Sequence, residues 1–298
     1  MQKIIPYLWF DKSPLGAVEA AKFYITLFPD SQLGAIDVLK DTPGGDMETV
    51  EFTLCGLKVA ALSGGPYFKF TPAHSMFVSS TTVEEIDSLW NKLIIDGEVM
   101  MPLQKYPFSE RYGWLKDKWG LSWQIFLSPT ATIEQKVHVN FMFTGAVAGK
   151  AEEAVNYYLS IFKNSHINGD ISRYGEGQTP NTPEMVNWMS FTLDGVKFSA
   201  IDSAGAHNFN FTEAISFMIL CESQAEIDYF WEKLSAVPEA EQCGWLKDKW
   251  GVSWQVLPKN FDQMMREGTP EQRKRLTDSF MKMKKFDLAE IERAYKGE

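Results

Sequence analysis

The first quarter of the chain alternates short apolar runs with stretches of helical period, and each switch marks an element. Ile4 to Phe10 is apolar and predicts a strand. Ala17, Ala21, Tyr24 and Phe28 then recur at helical spacing until Pro29 ends the helix. Val38, Met47 to Leu54 and Lys58 to Leu62 predict three strands separated by the Gly44-Gly45 and Cys55-Gly56 turns, which gives a β-α-β-β-β unit. Ser75 to Ser80 opens a second such unit. Its helix starts with Thr82 and Glu85 at capping-box spacing and buries Ile86, Leu89, Trp90 and Leu93. Strands near Val99, over Tyr112 to Lys116 and over Leu121 to Leu127 complete it.

The pattern then repeats. Gly113 to Ile125 reads GWLKDKWGLSWQI and Gly244 to Val256 reads GWLKDKWGVSWQV, identical at 11 of 13 positions with three tryptophans in each copy. Upstream, Ala20 to Leu33 matches Ala154 to Ile167, Val50 to Leu62 matches Met189 to Ile201, and Phe70 to Val78 matches Phe211 to Ile219. Glu84 to Leu93 matches Ala225 to Leu234, with Ser223 and Glu226 repeating the capping spacing. A tandem duplication of two units per half predicts four units in all. The expected domains are 1–130 and 135–258, followed by a helical extension over 259–298 in which Leu288, Ile291 and Tyr295 form an apolar edge.

Within the repeated window, Asp117 suits a turn start and Gly120 a positive backbone angle, so Tyr112 to Lys116 and Leu121 to Leu127 form a hairpin. Ser122, Gln124 and Phe126 fall on one face of its second strand, Trp123 and Ile125 on the other. Gln124 and Gln255 therefore either satisfy backbone groups at a sheet end or point into a concavity. An inward glutamine without a partner costs desolvation that leucine avoids.

Charge and cysteine content narrow the function classes. The 298 residues carry 39 acidic and 29 basic side chains, a formal net charge of −10, which argues against binding a phosphate backbone or an anionic membrane. No apolar stretch reaches the length of a membrane span, and the N-terminus lacks a signal-like apolar run. Cys55, Cys221 and Cys243 form no metal-type spacing, so a reduced, cytoplasmic setting is expected.

The repeated units, the Ala-x-x-Phe/Tyr-Tyr-x-x-x-Phe helix, the Ser63-Gly64-Gly65-Pro66 segment and the two tryptophan-rich windows resemble the PhnB-like, "3-demethylubiquinone-9 3-methyltransferase" branch of the vicinal oxygen chelate superfamily. Glyoxalase I, extradiol dioxygenases and bleomycin-resistance proteins belong to that superfamily. The resemblance implies an α+β fold of tandem glyoxalase-like domains, each made of two βαβββ units curled into a half-open barrel, with one barrel per half and the halves packed like a homodimer. Metal-using relatives take ligands at four places, which by position hold Pro6, a residue near Ala61 to Ser63, Ser75 and Gln124 in the first half. In the second half they hold Asn140, a residue near Ala200 to Asp202, Ser216 and Gln255. Proline, serine and neutral amides are weak ligands, so no metal and no cofactor are expected. His138, two residues before Asn140 on the same strand face, is read as a packing histidine, with a role beside Asp202 as the other reading.

Three functions follow. The first is metal-independent binding of a small, aromatic-type molecule, with Trp9, Ser63, Ser75, Trp114 and Gln124 lining one pocket and Asn140, Phe143, Asp202, Ser216, Trp245 and Gln255 placed in the other half. The second is a metal-dependent lyase, isomerase or dioxygenase, which needs ionisable ligands these positions lack. The third is a methyltransferase, and no strand leads through a glycine-rich turn into a helix as a nucleotide-like methyl donor requires. Intramolecular pairing of the halves is expected, and the tail leaves pairing of two chains open.

Overall fold

The computed structural model describes residues 2–12, 16–40 and 45–298. Gly44 of the expected Gly44-Gly45 turn lies outside them. The first unit is β1 (Ile4–Phe10), α1 (Ala17–Tyr24), β2 (Gln32–Leu39), β3 (Met47–Leu54) and β4 (Leu57–Ser63). The second is β5 (His74–Ser80), α2 (Val83–Leu93), β6 (Glu98–Tyr106), β7 (Ser109–Lys116) and β8 (Ser122–Leu127). In the second half, β9 (Val137–Phe143), α3 (Ala151–Ile161), β10 (His166–Arg173), β11 (Val186–Leu193) and β12 (Val196–Asp202) form the third unit. The fourth has only β13 (Ile215–Cys221), α4 (Gln224–Leu234), β14 (Trp245–Lys247) and β15 (Ser253–Pro258). Helices α5 (Phe261–Glu267), α6 (Pro270–Phe280) and α7 (Leu288–Lys296) follow.

The expectation of four complete units is thus corrected in the last one. Only ten positions separate Leu234 from Gly244, against twenty between Leu93 and Gly113, which is too little chain for a counterpart of β6. The tail covers that place instead. Cys243 and Gly244 donate their backbone N–H groups to Met283 and Lys284 at 2.8 and 2.7 Å. Phe286 packs where a Cβ on Gly244 would stand, 2.6 Å from its ring. Phe261, Phe280 and Phe286 form the tail's own aromatic core.

The capping serine and threonine behave as expected on one side only. Thr82 and Ser223 accept from the backbone N–H of Glu85 and Glu226. The glutamate side chains miss the cap residue's own N–H: Glu85 bonds Ser80 and Lys136, while Glu226 bonds Lys3 and accepts from the Glu222 N–H one residue before the cap.

The expectation of one barrel per half is overturned by the strand order. Sheet A runs β14-β15-β13-β1-β4-β3-β2 and sheet B runs β10-β11-β12-β9-β5-β8-β7-β6, so each sheet takes one unit from each half. The junctions are antiparallel, Ile4↔Ile219 to Leu8↔Ile215 and His74↔Phe141 to Val78↔Val137. The physical reason is edge satisfaction. Strands β1 and β5 each pair with a strand of their own unit or half on one side only, and the matching strand of the other half removes the exposed edge. The ion pairs Lys3–Glu226 and Lys136–Glu85 tie the halves at corresponding places.

The back faces of the two sheets share one core. Phe141 of β9 stacks on Phe217 of β13 at 4.9 Å, and His74 lies against both rings. Each repeat also bridges the two sheets through its tryptophan-rich window. Asp117 accepts from the backbone of Trp119 and Leu121, from Trp123 Nε1 at 2.8 Å and from the Tyr24 hydroxyl of α1 at 2.6 Å. Asp248 does the same with Trp250, Val252, Trp254 and Tyr158. The repeated spacing of the window is therefore a buried turn-and-staple device.

Candidate functional site: two unlike cups

The front faces of the sheets curl into cups. Phe77 on β5 and Trp188 on β11 are separated by two intervening strands, which on a flat sheet places them about 14 Å apart. Their ring centroids are 4.7 Å apart. Tyr7 on β1 and Trp245 on β14, likewise three strands apart, meet edge-on at 6.3 Å.

Strand alternation decides which candidate residues enter the cups. In sheet B the front face carries Ser75, Trp114, Gln124 and Asn140, because Ser75 pairs with Asn140, Phe77 with Gln124, and Gln124 with Trp114. In sheet A it carries Trp9, Ser216, Trp245 and Gln255. The two pockets expected from the sequence are thus regrouped, each drawing on both halves. Pro6 pairs with Phe217 and faces back. Its neighbour Tyr7 pairs with Ser216 and Ala60, as Asn140 pairs with Ser75 and Ser199, so Tyr7 is the counterpart of Asn140.

Three candidates fall outside the cups. Ser63 and Asp202 lie on the back faces beside Phe10 and Phe143. Ser63 Oγ accepts from the Ala17 N–H at the start of α1, and Asp202 accepts from Ala151 at the start of α3 and from Val186. Burial pushes the Asp202 carboxyl up, opposed by those backbone donors. Phe143 is core. The Ser63–Pro66 segment is a seat for Trp9, whose Nε1 donates to Gly65 O at 2.8 Å and whose ring lies 2.1 Å from a Cβ placed on Gly64.

The centre of the sheet B cup is uncharged and aromatic, with Lys197 and the Lys116–Glu98 pair farther out on the same face. Gln124 donates to Ser75 Oγ at 2.7 Å and accepts from the Tyr112 hydroxyl at 2.8 Å, so both ends of its amide are engaged. Trp114 Nε1 donates to Ser122 Oγ. His138 Nε2 meets Ser199 Oγ at 3.1 Å, and Ser199 Oγ donates to Asn140 Oδ1 at 2.8 Å. His138 Nδ1 and Asn140 Nδ2 are buried with no partner among the described residues. Burial, with Lys197 adding to it, pulls the His138 imidazole down to about 3, so it is neutral. Phe77, Phe126 and Trp188 enclose this group.

The sheet A cup is charged and strapped. Gln255 donates to Ser216 Oγ at 2.9 Å, and Glu51 pairs with Lys58. Helix α5 begins just past β15 and reaches the opposite edge, where Arg266 pairs with Asp37 of β2 and Glu51 of β3 at 3.1 and 3.7 Å. The tail thus spans the mouth. Burial, then Asp262 and Glu51, raises the Tyr7 phenol far above its ordinary value.

Comparisons with known proteins set this geometry in context. The family model described as 3-demethylubiquinone-9 3-methyltransferase matches residues 2–126 and again 135–257. The chain belongs to this family. A putative 3-demethylubiquinone-9 3-methyltransferase, the PhnB protein of Bacillus cereus, is 40% identical over 43% of this chain and 100% of its own, with a TM-score of 0.39. Glyoxalase I of Zea mays, at 9% identity, covers 89% of this chain and 97% of its own with a TM-score of 0.55, which shows a glyoxalase-type fold across both halves. No curated protein matches the chain. No helix among the described residues is long and apolar enough to cross a membrane.

The metal of this fold's metal-using members does not suit these residues. The places of its ligands hold Tyr7, Leu62, Ser216 and Gln255 in one cup and Asn140, Ile201, Ser75 and Gln124 in the other. Hydroxyls and amides are poor donors to first-row divalent ions, and the Gln124 carbonyl is already taken. No group of three His, Cys, Asp or Glu side chains among the described residues is placed to hold a metal. Sequence reasoning missed Tyr7, Phe77, Tyr112, Trp188 and Ser199. The alternation Trp188-x-Ser190-x-Thr192 was the available signal for β11, since it sets three polar or amphipathic side chains on one face.

Proposed function

We propose that this PhnB-like chain binds a small neutral molecule in the sheet B cup without a metal. The observation that carries the reading is the buried pair of unpartnered atoms, His138 Nδ1 and Asn140 Nδ2, on an aromatic-walled front face. A buried polar atom without a partner costs roughly 1–3 kcal/mol, and at a concave face the polar edge of a ligand offsets that cost. A cytoplasmic setting belongs to the same reading, supported by free thiols at Cys55, Cys221 and Cys243. A methyl-donor site is less well supported, because the glycine-rich segment after β4 is occupied by Trp9.

Methionine methyl groups give each cup its own reporter. Met142 lies on the front of β9 and Met218 on the front of β13. Toluene and indole, titrated into protein with 13C-methyl-labelled methionine, are expected to shift Met142, with the same response after EDTA treatment. Loss of the response in EDTA with recovery on adding zinc, nickel, manganese or iron overturns the metal-free reading. An unmoved Met142 across an aromatic fragment panel overturns the site.

A further inference from the structure

The hydrogen-bond relay His138–Ser199–Asn140 constrains what the sheet B cup can recognise, and this inference rests on that cup being the binding site. The Ser199 hydroxyl has one proton. As it donates to Asn140 Oδ1, His138 Nε2 must carry its own proton to bond Ser199 Oγ, which leaves Nδ1 of the neutral ring as a bare acceptor. Asn140 Nδ2, two residues along the same strand face, is then an unused donor. Turning the Asn140 amide over reverses every bond. Its nitrogen donates to Ser199, Ser199 donates to His138 Nε2, Nδ1 carries the proton, and the Asn140 carbonyl is left free.

Both arrangements present one donor and one acceptor from residues two apart on the same strand face. Neither presents two donors, nor two acceptors. We propose that the sheet B cup reads a neutral ligand edge with an adjacent donor and acceptor, an amide or lactam group on an aromatic or apolar body.

An ionised carboxylate lacks the donor and meets an unmatched acceptor in either arrangement. The imidazolium that would welcome it is opposed by complete burial and by Lys197 on the neighbouring strand. An ester or ketone satisfies only half of the pair. The walls supply the rest of the recognition, with the Phe77 ring 5.0 Å from His138 and 4.7 Å from Trp188. The relay also commits the edge to self-adjustment, since one concerted flip swaps the positions of donor and acceptor. A ligand amide of either orientation is therefore accepted.

The test compares four probes of one size, benzamide, methyl benzoate, benzoate and toluene, by the Met142 methyl shift in the full chain. Benzamide is expected to bind about tenfold or more tightly than methyl benzoate, the equivalent of one matched hydrogen bond, with benzoate weakest. Ser199→Ala breaks the relay and is expected to bring the benzamide to methyl benzoate ratio below about threefold, and a ratio that stays at about tenfold in this variant overturns the relay as its source. Equal binding of benzamide, methyl benzoate and toluene to the wild type overturns the proposed edge while the cup stays a binding site. Preference for benzoate also overturns it. Failure of all four to move Met142 removes the site itself. Independently of any ligand, side-chain 15N shifts of His138 are expected to report a neutral ring at pH 7, and an imidazolium there refutes the relay.

Discussion

Replacing Tyr24 by Phe removes a single hydroxyl and tests how the duplicated motif holds the fold. The ring of Tyr24 sits among Phe10, Trp119 and Trp123, contacts that phenylalanine keeps. What is lost is the 2.6 Å bond to Asp117, a carboxylate only 3% exposed that joins the α1 side of sheet A to the β7–β8 turn of sheet B. Burial pushes the Asp117 carboxyl up to about 6, against the pull of Tyr24 and three N–H donors. At pH 7.5 the group is ionised, and a bond to a charged acceptor contributes about 1.5–3 kcal/mol. Below pH 6 the carboxyl takes up a proton and the bond becomes a neutral one, worth about 0.5–1.5 kcal/mol. The sign follows from the raised value: protonation stabilises the folded state fully below the ordinary 3.8, and that contribution is lost as the pH rises through about 6. The deficit of Tyr24→Phe in urea unfolding is therefore expected to shrink by about half between pH 7.5 and pH 5. Tyr158→Phe should match it through Asp248, and because the two bonds share no partner the double variant should lose about 3–6 kcal/mol at pH 7.5. A deficit below about 0.5 kcal/mol, or one that ignores pH, refutes the staple.

Two further outcomes follow from the same structure. His74 is buried among Phe141, Phe211 and Phe217 with Nε2 unpartnered among the described residues, and burial pulls its imidazole from 6.5 down to about 3. Its contribution is whole above pH 6.5 and lost as the pH falls toward 3, so His74→Phe should gain on the wild type by roughly 1.4 kcal/mol per pH unit below 6.5, read by urea titration. A pH-independent difference would falsify this. A protease site placed in the exposed linker around Pro129 to Thr132 should leave, after cutting, one species of the intact 33.9 kDa size in light scattering, because both sheets need both halves. Separation into two folded fragments would contradict the exchanged sheets.

The elements were legible because each had a local cause. The strand and helix of the first unit follow from periodicity, and Thr82 and Ser223 start their helices as their spacing predicts. The exchange of units between sheets was not legible, because strand alternation says which residues share a face and nothing about which strand lies alongside. That is why Ser63 and Gln124, in one repeat, end in different sheets, and why Gln124 shares a front face with Asn140 of the other half. A one-residue offset did further damage, since moving from Tyr7 to Pro6 crosses to the opposite face. Ser63 and Asp202 were candidates by position, yet the demand they meet is that of an uncapped helix start, which sequence alone presents in the same residue types as a binding site.

Joining two repeats in one chain gives the cups separate histories. In two identical chains any change in one cup appears in the other, whereas here Tyr7 faces Asn140's role with a phenol, and the counterpart of His138 is the back-facing Pro6's neighbour Ile5. The fourth unit's missing strand then left an edge that the tail covers, and the same tail carries α5 across sheet A to Asp37 and Glu51. Sheet B receives no such strap among the described residues, and the middle of its front face holds an uncharged relay, with Lys197 at one side and the Lys116–Glu98 pair toward the β6 edge. A charged, spanned cup and a neutral, aromatic one are different solvents for a ligand. The asymmetry is why the proposed binding is assigned to sheet B: the uncharged relay of His138, Ser199 and Asn140 lies there, while in sheet A Glu51 and Asp37 are already paired with Arg266 of the tail.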